Sequence, residues 1–157
     1  AMTGKFVGRR DLPAVRSTVK CVFFWSMCVA AAFMVMYGLF GRQMLYVFTS
    51  DHDVVAASME FIPWLIPMPL VGCAAFTWDG IYVGATASRP IRNSSIWAMA
   101  GFFAVWFIMH GMTKTAISGN PAIAVHILLA AFLIHLIIRF IYETVLYRRS
   151  ILEEPFR

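Results

Sequence analysis

Long apolar runs alternate with short polar stretches along this chain. The first run, 21–40, carries no charge, and the second, 54–78, carries only Glu60. The third, 96–112, has His110 near its end, and the fourth runs from about 122 to 145 with His126, His135, Arg139 and Glu143 in it. A bilayer-spanning helix needs about 20 predominantly apolar residues. No water is present in the hydrocarbon core to satisfy loose backbone groups, so runs of this length are helical. Barrel strands would be shorter and would alternate, which these runs do not. The pattern therefore predicts an all-α integral membrane fold with four transmembrane helices over about 21–40, 54–83, 94–112 and 121–145. A polar segment, 1–20, precedes the membrane part at 21–145, and a tail, 146–157, follows it.

Local punctuation fits these limits. In "GRQMLYVFTSDHD", the expected first outer loop at 41–53, Ser50 or Asp51 can cap the second helix. "SGNP" ends the second outer loop, with Pro121 suited to a first helical position. Asn93 and Ser94 are candidate caps of the third helix. No internal repeat and no low-complexity tract is evident.

Basic residues in the connectors orient membrane helices. Eleven of the 13 Lys and Arg lie before the first run, between the second and third, or at and after the end of the fourth. Arg42 and Lys114 are the other two. This asymmetry predicts that both chain ends and the 79–93 segment are cytoplasmic, in a multi-pass protein of the plasma (inner) membrane.

Composition agrees. The chain is 61% hydrophobic and 13% charged, where soluble domains carry about 25% charged residues. Its aromatic content argues against disorder. A net charge of +5 could point to nucleic acid, but the basic residues sit at membrane edges, so no nucleic-acid partner is expected. Cys21, Cys28 and Cys73 lie in apolar runs without paired or metal-type spacing and read as small buried residues. The opening residues lack the order of a signal peptide; they begin at Ala1 rather than Met, and the native N-terminus is expected upstream.

Chemistry concentrates in the second helix. "EFIPWLIPMPLVGCAAFTWDG" holds Pro63, Pro67 and Pro69 within seven residues. Each removes a backbone donor and clashes with the carbonyl four residues earlier, so this helix should bend or break. Broken helices near the bilayer midplane form transporter sites, though kinks also serve packing alone. Glu60 either snorkels to the outer interface or faces a cavity with Pro63, Trp64 and Pro67. Asp79 lies 19 residues further on, about 28 Å along an ideal helix, so the two acids do not share a site. Arg89 and Arg92 are within reach of Asp79 as partners at the inner helix end. Gly80 and Gly84, four apart, offer a surface for close helix approach. On the fourth helix His135, Arg139 and Glu143 share a face, and Arg139 either snorkels to headgroups or turns into the bundle. His126 and His135 fall on opposite faces. The methionines and tryptophans are ordinary lipid-facing residues or the lining of a cation-accepting cavity, with Trp64 the one to test first. No Ser/His pair, aspartate pair or Glu/His metal set is found within the spans, so no enzyme and no metal site is expected.

"WDGIYVGATASRPIRNS" carries a more specific signal. It resembles a phrase of the multidrug and toxic compound extrusion (MATE) transporters, DinF-like branch, at the inner end of their tenth helix. Asp79, Gly80, Ile81, Gly84, Ala85, Arg92, Asn93 and Ser94 match it, with Ile91 where methionine is usual. The flanks "GKFVGRRDLPAVRSTV" and "LFGRQMLYVFTSDHDVV" are similar to the connector before the ninth helix and the loop after it. "GN" at 119–120 and Arg139 echo the last helix pair, although Pro121-Ala122-Ile123 departs from the family's aromatic phrase. The resemblance implies the last four of twelve helices in a two-lobe transporter, completed by helices that precede them in the same chain. It implies export of organic, often cationic, compounds in exchange for protons or sodium ions by alternating access, with no cofactor. The coupling acid is expected in the first helix, outside this sequence. Asp79–Asn93 then reads as a cytoplasmic hinge holding the inner gate, with Arg92 pinning it and Asn93 capping the next helix. The alternatives are a self-standing four-helix membrane scaffold or a homo-oligomeric small exporter.

Overall fold

The computed structural model describes residues 2–153, without the side chains of residues 2 and 114–116. Arg157 and Glu154 of the tail and the Lys114 side chain lie outside that description. All regular structure among the described residues is helical. Three helices are long and apolar enough to cross a membrane, or four if one bent pair forms a single span.

The chain opens with α1 (Met2–Gly8) and reverses into α2 (Leu12–Phe48). The reversal is a Schellman turn: Asp11 N–H bonds to Phe6 O and Arg10 N–H to Val7 O, with Arg10 left-handed at φ 56°. Asp11 then caps α2 by accepting from Ala14 N–H at 3.1 Å. α2 is 37 residues long, about 55 Å, so helix continues on both sides of the expected 21–40 span. Nothing in 12–20 breaks a helix; the charges there mark a bilayer edge and not a helix end. A kink at Phe40 (φ −119°, ψ 16°) sits beside Gly41, where Ile62 comes close enough that a Cβ would meet its Cδ1 at 2.6 Å. The expected 41–53 loop shrinks to Thr49–Asp51.

Asp51 is the cap of α3 (His52–Ser58), accepting from Asp53 N–H at 2.9 Å and Val54 N–H at 3.4 Å. A 3₁₀ turn (Met59–Phe61) leads to α4 (Ile62–Leu65) and then α5 (Met68–Gly84). The line bends by 53° at the break before Met68. The prolines explain how the break is tolerated. Pro63 lies in the first turn of α4, Pro67 just before α5 and Pro69 in its first turn. At these positions a backbone N–H would have no helical acceptor, so the rings cost little. The break also places prolines where they orphan no mid-helix carbonyl.

A three-residue turn, 85–87, joins α5 to α6 (Ser88–Met112). It is a second Schellman turn, with Ala87 N–H to Tyr82 O, Thr86 N–H to Val83 O and Thr86 at φ 58°. Most of the expected 79–93 hinge is therefore helix. Asn93 and Ser94 lie inside α6, because Ser88 and Pro90 already begin it, and neither is a cap. α7 (Lys114–Gly119) and α8 (Ala122–Tyr147) follow; Asn120 Oδ1 accepts from Ala122 N–H at 3.0 Å. The last described residues, Arg148–Glu153, form a π-helical turn.

α6 packs along α8, α8 along α5, and α5 along α2. A Cβ at Gly101 would collide with Ile138, so the α6–α8 approach uses that glycine. The buried core lies at the α5–α6 turn, built from Val15, Val19, Trp78, Ile81, Tyr82, Ala85 and Ile151. Large apolar side chains such as Phe24, Trp25, Trp97 and Phe107 are more than 60% exposed, as in a protein whose solvent is lipid.

A buried charge cluster joining α5, α6 and α8

Trp78, Asp79 and Tyr82 lie on adjoining faces of α5's last turns, three and four residues apart. All three reach α8. Trp78 Nε1–H donates to Thr144 Oγ1 at 2.8 Å and Tyr82 O–H donates to the Glu143 carbonyl at 2.7 Å. Asp79 Oδ1 pairs directly with Arg139 Nη2. Phe23 and Tyr147 cover the Trp78 indole at centroid distances of 4.7 and 4.8 Å.

Arg139 and Glu143 stand one turn apart on α8, with Nη2 to Oε1 at 3.7 Å. From α6, Ser94 Oγ is 2.6 Å from the same Oε1 and 2.8 Å from Ile91 O. Glu143 and Ser94 are fully buried. Three helices thus meet on two carboxyl groups and one guanidinium. Arg139 Nε and Glu143 Oε2 are buried without a hydrogen-bond partner.

The sequence expectations distribute unevenly over this geometry. Asp79 and Arg139 come together. Asp79 does not pair with Arg89 or Arg92: both are exposed on α6, while α8 brings Arg139 in from 60 residues away. Arg139 is accordingly turned inward, with 13% of its side chain exposed, and does not reach for headgroups. Asn93 is half-buried within α6. His135 leaves the polar line and stacks on Phe132. The glycine pair splits. The Gly84 carbonyl is so close to Gly4 that a Cβ there would collide, so the close approach is made by α1. Gly80 meets nothing; it lines a cavity of about 730 Å³ between α2 and α5, with Thr18, Val22, Ser26, Cys73 and Thr77. Cys21 and Cys28 are exposed, not buried.

A second polar tie lies at the other end of the α5–α8 pair. Trp64 Nε1–H donates to His126 Nδ1 at 2.8 Å, and His126 Nε2 is 3.1 Å from Glu60 Oε1. An indole only donates, so Nδ1 must accept and Nε2 must carry the proton toward Glu60. Phe61 covers the imidazole at 4.9 Å. Glu60 is half-exposed and Pro63 exposed. The apolar cavity nearest the prolines, about 250 Å³, is bordered by Leu65, Met68, Pro69, Phe132 and Leu136.

Ser94, Tyr82 and His126 were not singled out as site residues. Their partners are 49 to 66 residues away, and no local signal shows such a contact.

The MatE family model matches residues 1–106. The chain belongs to the MatE family. It is also similar to the DNA damage-inducible protein F of Escherichia coli (strain K12), 30% identical over 102 residues, 65% of this chain. The chain spans 22% of that relative's length. No solved structure matches the chain. MatE membership and the apolar helices together describe a multi-pass membrane protein of a transport family. Asp79 and Ser94 bound the phrase that resembles the family, and both contact α8, which lies beyond the MatE match.

Proposed function

We propose that this chain is the C-terminal part of a MATE-type secondary antiporter in the plasma membrane. The bent line from α3 to α5 acts as one span, and four spans form the last four of twelve helices. Preceding helices of the same chain complete the lobe. The whole protein exports small organic, often cationic, compounds against an inward flow of protons or sodium ions by alternating access, without a cofactor. Both chain ends and the α5–α6 turn face the cytoplasm, in keeping with the distribution of Lys and Arg.

The observation that carries the reading is the Asp79–Arg139 pair. It ties the end of the broken helix to α8 through a largely buried charge contact. Such a contact has two discrete states, made and broken, which is what a gate needs. The cluster holds the inner gate closed and does not bind drug. Asp79→Asn in the full-length protein should lower efflux of a fluorescent organic cation from cells while leaving its binding to purified protein unchanged. Undiminished efflux would remove the gate from this cluster. Lost binding would move Asp79 into the drug site.

A further inference from the structure

The cluster holds a group that gating by Asp79 and Arg139 does not use. We infer that Glu143 is a proton-binding site, loaded while Arg139 is committed to Asp79 and emptied when Arg139 turns to Glu143. The role in transport rests on the gating reading above; the site itself rests on three features of the geometry.

The first is a hydrogen count. Ser94 has one hydroxyl hydrogen and two oxygens at bonding distance, Ile91 O at 2.8 Å and Glu143 Oε1 at 2.6 Å. The Ile91 carbonyl only accepts, and so would an ionised Glu143, which would leave one of the two contacts without a hydrogen. A protonated Glu143 supplies the second hydrogen: Ser94 then donates to Ile91 O and accepts from Glu143 Oε1, and both contacts are made. The second is charge. Arg139 contacts Asp79 directly and stands 3.7 Å from Glu143. One guanidinium balances one carboxylate, and a protonated Glu143 leaves the cluster neutral. The third is burial. Glu143 is fully buried and its Oε2 has no partner, a setting in which an ionised carboxylate is costly and the acid is not.

The groups facing Glu143 are few. From α5 come Asp79 and Tyr82, whose hydroxyl is occupied by the Glu143 carbonyl. From α6 comes Ser94, and from α8 itself Arg139; the phenols Tyr142 and Tyr147 act on Tyr82, and Arg16 of α2 on Tyr147. Arg139 is the cation positioned to replace the proton. Its Nε has no acceptor in this arrangement and is the donor left over for a carboxylate. On release, the Glu143 O–H bond breaks, the proton passes to water at the α5–α6 end, and the carboxylate takes the guanidinium. Loading reverses each step. The ligand inferred is a proton, since the site offers one buried carboxyl group hydrogen-bonded to Ser94 and a cation, Arg139, beside it.

The test is infrared difference spectroscopy of the full-length protein in lipid across a pH titration. A protonated buried acid has a carbonyl band distinct from those of carboxylates and amides. The wild type should show one, lost on alkalinisation. Glu143→Gln, nearly the same shape and permanently neutral, should abolish it. Ser94→Ala should keep it but shift it to higher frequency, since its hydrogen-bond acceptor is gone. If Glu143→Gln does not yield folded protein, Glu143→Asp should displace the band. A band that survives Glu143→Gln unchanged, one untouched by Ser94→Ala, or one removed by sodium at constant pH would each overturn the inference. None of these readouts involves drug transport, so the gate can fail its own test while this site stands, and the reverse.

Discussion

Removing Arg139 tests the cluster most directly. Arg139→Ala takes the one cation from between two acids, Asp79 with 23% of its side chain exposed and Glu143 with none. Breaking a buried ion pair by deleting one partner costs about 3–5 kcal/mol, mostly because the other charge is left uncompensated. Asp79→Asn leaves a neutral amide that still accepts from the guanidinium, and Arg139 has Glu143 within 3.7 Å as a second acid. Its cost should be that of a weakened charged hydrogen bond, about 1–3 kcal/mol. The order is therefore Arg139→Ala well above Asp79→Asn. Paired replacement by Leu at 79 and Met at 139 should recover much of the loss, since apolar residues of similar volume often substitute for a buried pair at little cost. Reversible unfolding of the full-length protein in mixed detergent micelles measures all three. Equal costs for the single variants, or values within about 0.5 kcal/mol of wild type as for an exposed pair, would refute the claim that burial makes this contact strong.

Two further outcomes follow from the backbone and from the charge pattern. Thr86 is a β-branched residue held at φ 58° in the α5–α6 turn. Thr86→Gly should raise stability by about 1 kcal/mol in the same unfolding assay, because the left-handed conformation costs an L-residue roughly that much; a loss of stability would mean that its hydroxyl bond to Ala85 O outweighs the strain. Single cysteines placed at Arg92 and Arg149 should resist a membrane-impermeant thiol reagent added to intact cells, whereas cysteines at Thr49 and Asn120 should react. The opposite pattern would invert the proposed orientation.

Much of the helical plan was legible because the bilayer imposes it. Length and apolarity located the long helices, and Asp51 declared itself as a cap by residue type and position. Helix ends were less legible where two signals diverge. Arg16 and Lys20 mark the edge of the hydrocarbon, but they form helix as readily as Leu does, so α2 runs through them. Asn93 looked like a cap because asparagine favours caps, yet a Ser-Arg-Pro sequence five residues earlier starts α6 first. The charge partners were illegible for a different reason. Asp79 had Arg89, Arg92 and Arg139 available, and local sequence favours the near ones. Packing of α5 on α8 selects the far one, and that packing is a property of the whole bundle.

The same packing explains why the bend and the two polar ties belong together. Trp64 and Asp79 are 15 residues apart along the broken line, and their partners His126 and Arg139 are 13 apart on unbroken α8. At 1.5 Å per residue these are about 22 Å and about 20 Å. A straight helix over the first stretch would overshoot its partner. The 53° bend before Met68 shortens the reach of that line, and Pro67 and Pro69 lie at the break, where their rings would clash with a straight continuation of the preceding turn. If the broken line straightened, its extra length of about 3 Å would put the two ties under strain. Trp64–His126–Glu60 joins half-exposed groups through two hydrogen bonds, worth about 1 kcal/mol each, while separating the buried pair would leave charges uncompensated, at a cost of about 3–5 kcal/mol. The weaker tie is therefore the one that opens first on straightening. Opening the stronger one requires a change of charge within the cluster itself, and Glu143 is positioned to supply it.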